Sequence, residues 1–135
     1  MANPYPRDLT HEADVPAHFD NDAADYVQMV GRVQKPGRVN SVEFIPNWTL
    51  AGTNTNYRTL TLYNRGTAGA GTTAIATLAL TSGTDLVKFV PETITITAAN
   101  AVVAVGDLLQ WVSTATGAGA PEVGGRVIVQ QSHTY

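Results

Sequence analysis

No cysteine occurs among the 135 residues, so disulfide frameworks, thiolate zinc sites and thiol nucleophiles are excluded, and the redox compartment leaves no mark. No stretch approaches the ~20 consecutive apolar residues that a membrane span needs. Met1–Asp8 has no apolar core of the kind a secretory signal uses, so no export signal is expected. Runs of Lys or Arg are missing, and with them the electrostatic footprint of a nucleic-acid binder. No ten-residue stretch shows strong helical periodicity. What remains is a chain of ordinary single-domain length, able to bury somewhat under ~70% of its unfolded surface and so to build one core without metal or disulfide staples.

Charge is scarce, 14% of residues, and unevenly spread. Residues 1–25 set one basic side chain, Arg7, against six acidic ones (Asp8, Glu12, Asp14, Asp20, Asp22 and Asp25), a net −5. Residues 26–135 hold seven basic and five acidic side chains, a net +2. An acidic stretch on a mildly basic body points to docking on basic protein surface, that of a partner or of a neighbouring copy.

Pro4, Pro6 and Pro16 interrupt the N-terminal stretch, and proline lacks the donor that helices and ladders use. Residues 1–24 therefore read as an extended acidic arm with at most a helical turn near Asp20–Ala24, and 25–135 as the body, able to fold without the arm. From Tyr26 the pattern alternates. Tyr26–Val33 and Arg38–Pro46, joined at Lys35-Pro36-Gly37, predict a hairpin, with Val42 and Phe44 on one face and Val39 and Ile45 on the other. Asn47–Asn56 is a polar loop. Tyr57–Asn64 is the clearest strand, with Leu60 and Leu62 inward and Thr59, Thr61 and Tyr63 outward.

A glycine-rich connection, Arg65–Gly71, leads to a threonine-rich strand over Thr72–Leu80. Leu86–Val90 is a short apolar segment stopped by Pro91, and Thr93–Thr97 alternates strictly. Ala98–Ala104 fits either a strand or a helical turn. Leu108–Ser113 is a strand with Trp111 in the core, Thr114–Gly125 a loop, and Arg126–Gln131 the last strand. Seven or eight short strands with turns every eight to twelve residues predict an all-β fold, one antiparallel β-sandwich or barrel-like domain.

Three motifs come close to chemistry and stop short. Gly66–Thr73 has the glycine spacing of a phosphate loop, but Thr72 stands where lysine is needed, and strands flank it on both sides. His11-Glu12-Ala13-Asp14-Val15 begins like a zinc-protease helix and has Val15 in place of the second histidine. The cluster Asp20-Asn21-Asp22…Asp25 lacks the central glycine and distal glutamate of a calcium loop. Glu43, Asp85, Glu92, Asp107 and Glu122 lie near strand ends or turns, with nothing favouring a catalytic pair among them. The reading is no enzyme, no cofactor and no metal. The candidate partner-binding residues are Asp20, Asp22 and Asp25, Tyr5 and Arg7, and Trp48 and Tyr57. Trp48 fits a sugar-stacking aromatic, an interface aromatic or a plug for its own loop.

Val42-Glu43-Phe44-Ile45-Pro46, then Gly52–Leu62 (G-T-N-T-N-Y-R-T-L-T-L), Asn64-Arg65-Gly66 with Gly69–Thr73, and Ala104–Trp111 (A-V-G-D-L-L-Q-W) together resemble small head decoration (cement) proteins of tailed bacteriophages, particularly those infecting actinobacteria. The resemblance covers roughly residues 26–131. It implies a sandwich-like homotrimer on the outer surface of the capsid of a virion, made in the host cytoplasm and bound where copies of the major capsid protein meet. The arm and His133-Thr134-Tyr135 match nothing in that pattern. The alternative is a carbohydrate-binding or adhesive β-sandwich on a virion surface, working through Trp48 and the Asn47–Asn56 loop. A hydrolase built on a sandwich is a third.

Overall fold

The structure, a computed structural model, describes residues 9–133. Ten strands follow one another: β1 (Leu9–Val15), β2 (Tyr26–Arg32), β3 (Gly37–Pro46), β4 (Tyr57–Asn64), β5 (Thr73–Ala79), β6 (Glu92–Thr93), β7 (Thr95–Ile96), β8 (Val102–Val103), β9 (Leu108–Thr116) and β10 (Gly125–His133). They form two antiparallel sheets, the all-β sandwich expected of the alternation. One runs β1-β10-β3-β6, with β8 also on β3, and the other β2-β9-β4-β5-β7. Val15, Val39, Val42, Phe44, Val127 and Val129 face inward from the first sheet, and Val30, Leu60, Leu62, Ile75, Leu109 and Trp111 from the second. Phe44 stacks on Trp111 across the gap, ring centroids 5.4 Å apart. Each such side chain adds roughly 1.5–3 kcal/mol on burial.

The first correction concerns the arm. Leu9–Val15 is a strand, paired with β10 over seven residues from Leu9–Gln131 to Val15–Gly125. Leu9, His11, Ala13 and Val15 are turned inward, whereas Thr10, Glu12 and Asp14 are exposed; Val15 is 5% exposed and belongs to the core. The period was two all along, masked by the charges on the solvent face, and Pro16 ends the strand rather than precluding it. Asp20–Ala24 holds no more than a single turn, as expected, with Ala24 N–H donating to Asn21 O.

The second correction concerns the hairpin. β2 pairs with β9 and β3 with β10, in opposite sheets. Lys35-Pro36-Gly37 reverses the chain, but the reversal passes over the edge of the sandwich. Val33, buried at its entrance, exchanges main-chain hydrogen bonds with Asp107 and Gly106 (2.8 Å each) in place of a partner on β3. A one-residue bulge at Asn40 then shifts the phase of β3, so that Val39 joins Val42 and Phe44 in the core while Ile45 is half-buried outside.

Thr93–Thr97 is not one strand. β6 serves the first sheet through β3, β7 the second through β5, and between them Ile94 is fully buried with its N–H on Val42 O. The ambiguous alanine stretch begins as a short 3-10 turn, Ala98–Asn100, before β8. Thr61 faces outward as expected but is only 5% exposed, because β4 lies between β5 and β9.

Candidate docking surface

The N-terminal segment reaches its place through two arginines. Arg126 on β10 lies opposite Asp14 and donates from Nε to Asp14 Oδ1 and from Nη1 to Glu12 Oε2, both at 3.0 Å. The hydrogen bond to Asp14, then the two carboxylate charges, hold its guanidinium above its ordinary range. Arg58 does the opposite work inside. It is 1% exposed, and its donors reach the carbonyls of Ala120 (2.6 Å), Asp22 (2.9 Å), Ala24 (3.0 Å) and Ser113 (3.4 Å). Glu122, also buried, brings Oε2 to 3.8 Å from Arg58 Nε and accepts from Gly124 N–H. Tyr26 lies under the guanidinium and stacks on His18, whose main chain bridges Glu122. A planar fork with five donors can tie two loop segments to β9 at once.

Phe19, shortly before the segment that Arg58 secures, belongs to an apolar surface. Phe19 is 57% exposed, Trp48 51% and Phe89 65%, with Val87 and Val90 beside them. Phe19 meets Trp48 edge to face at 6.1 Å, and Lys88 Nζ lies 5.2 Å from the Trp48 ring and 4.9 Å from that of Phe89. The backbone beneath is tied down: Leu50 and Leu86 form a two-way bridge, Phe89 N–H donates to Pro46 O, and Lys88 N–H to Thr49 Oγ1. Phe89 has φ +63°, the left-handed region, which costs a non-glycine residue roughly 1–2 kcal/mol. A side chain held strained, apolar and in solvent is a marker of use rather than of folding.

An open cleft of about 550 Å³ lies alongside, lined by Asp14, Val15, Pro16, Ala17, Ile45, Asn47, Gly125 and Arg126, between the segments that carry Phe19 and Trp48. Its charges, Asp14 and Arg126, already satisfy each other. The lining offers no nucleophile beside a base, and it mixes apolar side chains with Asp14, Asn47 and Arg126.

The sequence-predicted residues separate. Trp48 is on this surface and exposed Asp20 follows Phe19 directly. Asp22 and Asp25 serve the fold: the Asp22 carbonyl accepts from Arg58, and Asp25 Oδ1 accepts from Ala115 N–H at 2.9 Å. Tyr57 opens β4, opposite Thr116 and away from Trp48 in the sequence of elements. Tyr5 and Arg7 lie outside the described residues. Among the other carboxylates, Asp85 accepts from Gly52 N–H and Asp107 from Asn64 and Ala104. Arg65 closes the glycine-rich loop on itself through Gly71 O and Gln110. No cluster of three metal-ligating side chains occurs among the described residues, nor a helix long and apolar enough to cross a membrane. Phe19, Lys88 and Phe89 were missed; Leu86–Val90 reads as a short apolar segment stopped by Pro91, and of its residues Leu86 alone is buried. Compared with models of known protein families, with curated proteins and with solved structures, the chain matches none.

Proposed function

We propose that the protein is a non-enzymatic structural protein, a decoration protein that binds the outer surface of a phage head and bridges neighbouring copies of the major capsid protein. The observation that carries this reading is the exposed aromatic surface of Phe19, Trp48 and Phe89 beside an open cleft. The resemblance of residues 26–131 to phage head decoration proteins supplies the identity of the partner. Aromatic side chains that fill a partner's pockets carry most of the energy of such contacts. Lys88 and Asp20 at the rim add a term that salt screens.

The carbohydrate reading loses ground on geometry. Sugar stacking needs an open aromatic face, whereas Lys88 lies over the Trp48 ring and Phe19 abuts it. Co-sedimentation with undecorated phage heads tests the proposal. Wild-type protein should sediment with them, and Trp48→Ala and Phe89→Ser should each lower occupancy at least tenfold while leaving the melting curve in place. Undiminished occupancy in both variants, or binding to a glycan array in place of capsids, overturns it.

A further inference from the structure

Lys88 starts at the rim of the aromatic surface, but its ammonium reaches inward. Nζ lies 5.2 Å from the centre of the Trp48 ring and 4.9 Å from that of Phe89, so one cation stands over two of the three exposed rings. The main chain behind it is fixed, with Lys88 N–H on Thr49 Oγ1 and Phe89 N–H on Pro46 O. What the ammonium lacks is an anion. Among the described residues no carboxylate comes within ion-pair distance of it, exposed Asp20 beside Phe19 included. In the free protein water takes that place. Exposed Lys35 has no carboxylate either, and for it solvent suffices.

Docking makes Lys88 different. A partner that covers the Trp48 and Phe89 rings also takes the water from the ammonium that stands over them. The attraction of a cation for ring faces strengthens as water leaves, but it is smaller than the hydration given up, and it provides no oxygen for the three N–H donors. Covered without an anion, the ammonium opposes docking; met by a carboxylate, it favours docking and fixes the register. Resting on the docking reading above, we infer that the partner segment covering this surface is apolar with one acidic side chain, whose carboxylate pairs with Lys88 Nζ beside the Trp48 and Phe89 rings. A basic segment fits worse, because its cation would have to displace Lys88 from both rings.

Co-sedimentation with undecorated heads reads the charge. Lys88→Arg keeps it and should bind much as wild type does. Lys88→Met keeps the stem alone and should lower affinity at least about tenfold, and Lys88→Glu further still. Melting should not change, since the side chain is exposed. Added salt should weaken the wild type and leave Lys88→Met nearly unaffected. Lys88→Met binding like wild type, or Lys88→Glu binding more tightly, overturns the inference. The docking reading survives either result if Trp48→Ala and Phe89→Ser still release the protein from heads, and falls if they do not. A second measurement needs no capsid. Acetyl-Leu-Glu-Leu-amide and its glutamine and lysine counterparts are titrated against the full chain, and the indole N–H signals of exposed Trp48 and buried Trp111 are followed by NMR. The glutamate peptide should shift Trp48 at the lowest concentration, leave Trp111 in place and lose its advantage in Lys88→Met. No shift from any peptide, equal shifts from all three, or the largest from the lysine peptide overturns the inference; in the last case the rings take a partner's cation instead.

Discussion

Residues 9–25 are held at two places by two arginines, and the contrast separates surface from interior. In β1 the attachment is a ladder with an exposed ion-pair fork, Arg126 to Asp14 and Glu12, on side chains that remain 48%, 79% and 41% accessible. In 18–25 there is almost no ladder; the chain is secured by one buried guanidinium taking the carbonyls of Asp22 and Ala24. Main-chain pairing makes the first part tolerant of losing its charges. The second part has less reserve, because without Arg58 its carbonyls lose their donor and the buried Glu122 carboxylate loses its cation, keeping the Gly124 N–H.

The largest effect should come from removing the ladder altogether. Deletion of residues 1–20 takes Val15 from the core, strips β10 of its outer neighbour and removes the His18–Glu122 bridge. Cooperative unfolding, followed by near-ultraviolet circular dichroism of buried Trp111, should be lost. A retained sharp transition would show that β1 decorates a finished fold, and the comparison would collapse to the clamp alone.

Arg58→Ala should cost about 3–5 kcal/mol in urea unfolding, the range for breaking a buried pair. The companion Arg58→Met/Glu122→Gln separates two causes. If the ion pair dominates, neutralising both recovers most of the loss. The structure favours little recovery, because the orphaned carbonyls of Asp22, Ala24 and Ala120 gain nothing from the second substitution. Arg126→Ala should cost under about 1 kcal/mol, less still in high salt. A loss equal to that at Arg58 would mean that exposure does not divide the two.

The same contrast explains what was legible in the sequence. Leu60, Leu62 and Trp111 were readable as core because apolar side chains at period two have one explanation. Arg58 shares their parity on β4, as Gln131 shares that of Val127 and Val129 on β10, where its side chain donates to Lys35 O and faces His11. Parity marked both as inward; their polarity argued against it, and only the loops that supply their partners resolve the conflict. Those loops come from distant parts of the chain, residues 22–24 and 120 for Arg58. Sheet membership was illegible for a related reason: a turn signal at Pro36-Gly37 specifies reversal, and whether the next strand pairs or crosses depends on β9 and β10, far downstream. Trp48 was readable as a surface aromatic, but its neighbours Phe19 and Lys88 come from elements no local pattern connects to it.

The smallest expected effect on stability is the sharpest test of the docking surface. Phe89 is exposed, stands in the left-handed region and makes one main-chain hydrogen bond, from its N–H to Pro46 O, which glycine retains. Glycine occupies that backbone conformation without the cost of a Cβ, though it gains freedom in the unfolded chain. The two terms nearly offset, and Phe89→Gly should leave stability within about 1 kcal/mol of wild type, on the favourable side. A residue present for packing would instead cost several kcal/mol on losing its ring. Measured beside capsid occupancy, the variant therefore distinguishes roles that a simple truncation confounds. An unchanged or raised melting temperature with occupancy lost places Phe89 in the interface. A lowered melting temperature with occupancy retained assigns the ring to the loop, and leaves Trp48 and Phe19 to carry the binding without it.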